Sequence, residues 1–185
     1  MAKESTFKNM VLVLSIVCLI SSAIVGGIYA LTKDPIDKAQ SDKEKAAIAE
    51  VVPAFDNEPK LEVAVVNGTN VYPAKKGGEI VGYAIETSSI GFGGPIKLIV
   101  GFTPDGSIYN VAVVSASETP GLGDKINKNK SDFSLQFKGK NPENFKLAVK
   151  KDGGDVDAIT ASTITSRAFA KAVEQAYETF KINKK

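Results

Sequence analysis

From Met10 to Leu31 the chain carries no charged residue, and beyond it the hydrophobic positions break into short alternating runs. The apolar stretch MVLVLSIVCLISSAIVGGIYAL, 22 residues, would span about 33 Å as a helix, against a hydrocarbon core of roughly 30 Å. It predicts a transmembrane helix over 10–31 behind a short N-terminal tail, 1–9. A cleaved signal peptide is the rival reading, but its apolar core usually runs to about 7–15 residues. Ile28-Tyr29-Ala30 also makes a poor small-x-small cleavage site, and Val17 before Cys18 argues against a lipoprotein cleavage box. A retained helix is the reading favoured here. Ser22 with Gly26, and Ala23 with Gly27, put small residues on one side of it, where another helix can approach closely.

Asp34-Pro35 reads as an N-cap followed by proline at the first position of a second helix. That helix forms a stalk over 32–53 and stops before Pro53. The remainder, 54–185, alternates as strands do. LEVAVV (61–66) and NVYPA (70–74) flank Asn67-Gly68, and EIVGYAIET follows Gly77-Gly78. PIKLIVGFT and SIYNVAVVSA are separated by Pro104-Asp105-Gly106, so they form an antiparallel hairpin. At the C-terminus SRAFAKAVEQAYETFK places Phe169, Ala170, Val173, Ala176, Tyr177 and Phe180 at helical spacing. The class is α+β: one antiparallel sheet with flanking helices, behind a single N-terminal transmembrane helix.

Charge and composition narrow the chemistry. In 185 residues with a net charge of +2 there is no basic run that would mark a nucleic-acid surface. His and Trp are absent and the single cysteine, Cys18, lies inside the apolar run. Histidine bases, histidine metal ligands and cysteine-ligated clusters are therefore excluded from the soluble part, and no metal site is expected. Redox chemistry would need an organic cofactor. Lysines leave the orientation open. Lys3 and Lys8 precede the apolar helix, while Lys33, Lys38, Lys43 and Lys45 follow it.

Two segments carry candidate chemistry. DAITASTITS, 157–166, is hydroxyl-rich and precedes the last helix. Thr163 or Thr165 could serve as a helix cap, worth about 1 kcal/mol. Alternatively, a phosphate could bind the free N–H groups of the helix start, with small Ala161 and Ser162 permitting approach and Arg167 adding a charged bond. The residues alone lean to the cap. The second segment, SASETPGLGDKI at 115–126, is a tight glycine-rich turn that brings backbone close to something flat, or is simply a surface loop. GFGGPIKL, at 91–98, lacks the strand–loop–helix setting of a dinucleotide fingerprint.

VDAITASTITSRA resembles the flavinylation motif of the FMN-binding domain family. That family includes the G subunit of the Rnf electron transport complex and the C subunit of the sodium-pumping NADH:quinone reductase. Its pattern is Asp, two residues, Ser or Thr, Gly, Ala, then the acceptor, and Asp157, Thr160 and Thr163 match it. GFGGPIKLIVGFTPDGSI and ETPGLGDKI resemble the family's other landmarks, in the family's order. Three positions depart: Ala161 stands for the usual Gly, Ser162 for the usual Ala, and Ala116 where many relatives have His. Ala161 would be costly if its position needs a positive φ.

The resemblance implies a covalent FMN, its phosphate esterified to Thr163 Oγ by a separate flavin transferase that uses FAD and magnesium and reads Asp157 and Thr160. It implies that Glu118, Thr119, Gly121, Leu122 and Gly123 line the isoalloxazine, with Thr160, Ser162 and Arg167 at the phosphate end. The expected protein is a single-pass electron-transfer subunit of an Rnf-type ion-translocating ferredoxin:NAD oxidoreductase, with no complete active site of its own. It would sit in a bacterial cytoplasmic membrane among other membrane subunits, its soluble domain on the extracytoplasmic side. The short chain and the TITSRA continuation favour the Rnf member of the family over the sodium-pump member. Other readings are a flavinylated domain of another extracytoplasmic electron-transfer system, and an anchored module with no cofactor.

Overall fold

The computed structural model describes residues 6–184 and divides into two compact units, one ending at Asp42 and one beginning at Lys43. Of the expected N-terminal tail, residues 1–5, Lys3 among them, lie outside the described residues.

The first unit is helical. α1 (Phe7–Val51) contains the whole apolar run, and its large side chains are exposed, Leu19 at 71% and Leu31 at 81%. By length and composition it can cross a membrane. The expected break at Asp34-Pro35 does not occur, because α1 continues with Pro35 inside it. Proline there removes only the N–H that would have met the Leu31 carbonyl, a loss the helix tolerates while the turns on either side persist. Thr32 Oγ bonds the Ile28 carbonyl at 2.8 Å, as a hydroxyl does inside a helix.

The second unit is an up-and-down sheet with a helix on each face. Its strands are β1 (Ala64–Val66), β2 (Thr69–Lys76), β3 (Glu79–Ile90), β4 (Pro95–Phe102) and β5 (Ile108–Ala116), antiparallel throughout and adjacent in chain order. Turn chemistry sets the register. Asn67 (φ 50°) and Gly68 (φ 78°) close the first hairpin, pairing Val66 with Thr69, because a two-residue turn of this hand needs both φ positive. The predicted Pro104-Asp105-Gly106 turn joins β4 to β5, with Gly106 N–H on the Thr103 carbonyl at 2.9 Å.

Alternation in β4 then decides what covers each face. Ile96, Leu98, Val100 and Phe102 point to one side and join the cluster built on α2 (Thr163–Asn183). Ile99 points to the other, where it meets Ala47, Ile48 and Val51 at the end of α1. Phe102 stacks on Phe180 at 5.1 Å, and Phe169 packs against Phe133 and Phe137 at 5.2 Å each. Each large apolar side chain so buried contributes about 1.5–3 kcal/mol.

Between Ala116 and α2 the chain forms no strand. Short 3-10 turns at Gly123–Ile126, Phe133–Phe137 and Lys150–Asp152 carry it around the α2 side. Ile108 fastens it to β5, donating to the Lys140 carbonyl at 2.8 Å and accepting from Gly139 at 2.7 Å. α2 begins at Thr163 and not at Ser166, so the candidate acceptor is the first residue of the helix.

Candidate functional site

Three loops meet at the start of α2. They are the β3–β4 connection with Phe92, the segment from Glu118 to Gly123, and the run Ala161 to Thr165; together they line a cleft of about 390 Å³. One carboxylate joins all three. Glu118 accepts from Thr165 Oγ at 2.7 Å and from Gly93 N–H at 3.3 Å. Side chains are excluded around it: a Cβ on Gly91 would lie 2.0 Å from Glu118 Oε1, and one on Gly123 would lie 2.4 Å from Oε2. One glycine from each predicted landmark, Gly91 and Gly123, therefore serves close packing about this one side chain.

The hydroxyls of the helix start fall into distinct roles. Ser166, fully buried, donates to the Ser162 carbonyl at 3.0 Å and accepts from Ile159 N–H at 2.9 Å. Thr165, 1% exposed, is committed to Glu118. Ser162 occupies the N-cap position, buried, but its side chain makes no capping bond. Thr163 is half-buried, faces the cleft, and its hydroxyl has no partner among the described residues. The cap expected of Thr163 or Thr165 is thus not formed. The first amide of α2 bonded within the helix is that of Ser166, on Ser162 O at 3.0 Å. The N–H groups of Thr163, Ile164 and Thr165 precede it and are free of intrahelical acceptors.

Ala161 has φ 62°, the left-handed conformation that costs an L-residue about 1–2 kcal/mol. This is the position where the family pattern has glycine, and the conformation explains why. The preceding loop is held from outside: Gln136 donates to the Asp157 carbonyl at 3.2 Å and accepts from Asp157 N–H at 2.7 Å. Asp157 and Thr160 stay exposed and outside the cleft lining, Asp157 in an ion pair with Lys150 at 2.8 Å. Gly121, with φ 76°, shapes the turn without lining the cleft.

Arg167 does not turn to the cleft as expected of a phosphate ligand. It makes a bidentate pair with Asp152, 2.6 Å from Nε and 2.7 Å from Nη2, which holds the Asp152 carboxyl below its ordinary range. Two charge-assisted bonds to one carboxylate hold the guanidinium there, away from the cleft lining. Sequence reasoning missed two contributors. Phe92, 70% exposed at the cleft mouth, was signalled by an aromatic between glycines in GFGGPIKL. Thr165 had no such signal as a partner of Glu118, since 47 residues separate the two. Phe92, Leu122 and Ile164 give the cleft an apolar rim, 70%, 41% and 51% exposed, suited to a flat aromatic group.

The FMN-binding domain family matches residues 91–178, and a family described as the RnfG N-terminal region matches residues 1–51. Similar proteins include the G subunit of the ion-translocating oxidoreductase complex of Haemophilus influenzae strain PittEE, 39% identical, over 85% of this chain and 82% of that protein. The corresponding G subunit of Vibrio atlanticus strain LGP32 is 39% identical over 90% of this chain and 87% of its own length. Among solved structures, the C subunit of the Na(+)-translocating NADH-quinone reductase of Parabacteroides distasonis shares the fold, with a TM-score of 0.53 at 24% identity, over 76% of this chain and 82% of that one.

Proposed function

The chain belongs to the family of G subunits of ion-translocating oxidoreductase complexes, and from that premise we propose that it carries one FMN esterified through its phosphate to Thr163 and relays electrons between neighbouring subunits, held in the membrane by α1. It is a redox subunit with an FMN-binding domain.

The observation that carries the ester is the unpartnered Thr163 hydroxyl on the cleft wall, beside hydroxyls that are buried or already bonded. Free N–H groups of the first turn and the dipole of a 21-residue helix favour an anion there by roughly 0.3–2 kcal/mol. Phe92, Leu122 and Ile164 would pack against the ring, and Glu118 holds the walls in register. Bound FMN exchanges one or two electrons, which suits a relay. Asp157 and Thr160, exposed beside the acceptor, are available for a flavin transferase to read. Esterification removes dissociation, an advantage on the extracytoplasmic side, where lost cofactor cannot be replaced.

The test is the intact mass of full-length protein co-expressed with a flavin transferase, wild type against Thr163→Ala. The expected result is one FMN adduct on wild type and none on the variant. An adduct that persists moves the acceptor elsewhere, and wild type without an adduct refutes the reading. Protease digestion of spheroplasts should remove the fluorescent domain from outside; protection would place it in the cytoplasm.

A further inference from the structure

Glu118 is the one charged side chain among the described residues lining the cleft. The nearest candidate cation in the sequence motif, Arg167, is spent on Asp152. The Glu118 carboxylate is also held in place from both ends, Oε2 by Thr165 at 2.7 Å and Oε1 by Gly93 N–H at 3.3 Å. A side chain on Gly91 or Gly123 would collide with it, so glycine at both positions leaves the carboxylate its place. A negative charge held by two hydrogen bonds, with no cation among the residues lining the cleft, disfavours any further negative charge placed beside it.

We propose that Glu118 is a positioning residue that sets the reduction potential of the flavin, holding it low through the fixed charge it presents to the cleft. The inference rests on the cofactor reading above. With dithionite as electron donor, oxidised to sulfite, the neutral flavin ring takes two electrons and one proton from solvent and gains one negative charge. That charge would form within the field of Glu118, so the reduced form is the one penalised. Protein charge near a flavin ring is a recognised lever on its electronics. Thr165 tempers the effect, since its hydroxyl donates to the carboxylate and disperses part of the charge.

Two substitutions separate this from loose packing, because they act in opposite directions. Glu118→Gln keeps the shape and the bond to Thr165 while removing the charge, so the midpoint potential should rise. Thr165→Val keeps the charge and removes its donor, so the potential should fall below wild type. A merely structural disturbance would move both the same way. Glu118 is only part-buried, so the gap between wild type and Glu118→Gln should narrow as ionic strength rises.

The measurement is a spectroelectrochemical titration of full-length, flavin-loaded protein, with loading checked by mass. Opposite shifts and a salt-sensitive gap support the inference. Equal potentials in loaded wild type and loaded Glu118→Gln overturn it and leave the cofactor reading standing. Wild type that never takes flavin ends both. Should Glu118→Gln fail to load, Thr165→Val decides, and a potential that is unchanged or raised in it is fatal to the inference.

Discussion

The carbonyl oxygen of Val51 lies only 1.6 Å from the point where a Cβ on Gly101 would stand. The last turn of α1 therefore rests directly on the backbone of β4, with Val51 fully buried and Ile48 at 2%. Gly82, on the neighbouring strand, is less crowded: a Cβ there would lie 2.9 Å from the Phe102 carbonyl oxygen and 3.1 Å from Pro53 Cδ. Gly101→Ala cannot be absorbed by a rotamer change, because the obstacle is backbone. It should destabilise the domain by about 1–3 kcal/mol, the range typical of overpacking. Urea denaturation of the variant should show an earlier midpoint. An unshifted midpoint would mean that the helix end stands off the sheet.

Ala161 offers the opposite sign. Its φ of 62° carries the left-handed penalty, which glycine does not pay. Against this, glycine loses more chain entropy on folding, roughly 0.5–1 kcal/mol. Ala161→Gly should therefore stabilise the protein modestly, by up to about 1 kcal/mol, seen as a Tm a few degrees higher. Ala161→Val, β-branched in a region such residues avoid, should lower it. A glycine variant less stable than wild type would contradict the conformation described.

How much of this is legible in the sequence follows from the range of the interactions. The hairpins are readable because their determinants are adjacent: Asn67-Gly68 and Pro104-Asp105-Gly106 dictate turn geometry within a few residues. The C-terminal helix declares itself by its apolar period. Pattern alone places its start three residues late, because Thr163 to Thr165 lack the strong helix formers that follow. The join at Asp34-Pro35 reads as a helix start because that dipeptide fits one equally well. In the site, Thr163 stands out as a proposed acceptor only through its resemblance to a known motif. The Glu118–Thr165 bond is not visible at all, since nothing local in a sequence pairs two side chains across 47 residues. Arg167 is misplaced for a related reason: its partner, Asp152, is close in the fold but 15 residues away.

On the α1 face of the sheet, Lys97 bridges Glu44 at 2.9 Å and Glu86 at 2.8 Å, and Tyr72 bonds Glu86 at 3.0 Å. Burial, then the Glu86 carboxylate, pushes Tyr72 up to about 12. Burial alone would lower Lys97, but the bonds it donates to Glu86 and Glu44 outweigh it and raise it. Both groups have folded values above their unfolded ones. Their contributions are complete below about pH 10 and are lost as pH rises through the folded values. Glu44 runs the other way. Burial raises it, yet the bonds from Lys97 and Lys60 win and lower it, so its contribution is lost as pH falls below the ordinary glutamate range. Stability should be flat across neutral pH and decline above about pH 10. Tyr72→Phe should lessen that alkaline decline, as read from urea midpoints, and should remove one of the two late-titrating tyrosines from the tyrosinate absorbance, the other being Tyr177, which burial also raises. An unchanged alkaline decline in Tyr72→Phe would exclude the tyrosine as its source.

Arg167 supplies the sharpest contrast between motif and geometry. It stands one turn into α2, where a phosphate at the helix start would be expected to recruit it. Its guanidinium is instead held by Asp152 through two short bonds, and it does not line the cleft. Drawing it to the cofactor would break a bidentate pair to replace it with a single contact, and the first-turn amides of α2 would be free to bind the phosphate without it. Arg167→Ala should accordingly accept FMN at Thr163 to the same extent as wild type, judged by intact mass and by fluorescence of the denatured band. Its fold should change little, because both partners are exposed. Ser166→Ala should behave differently: a buried hydroxyl that holds Ile159 N–H is lost, at a cost of about 1–3 kcal/mol, and the acceptor loop loosens with it. Loading should therefore fall in Ser166→Ala and persist in Arg167→Ala. The reverse order would mean that the arginine leaves Asp152 when the phosphate arrives.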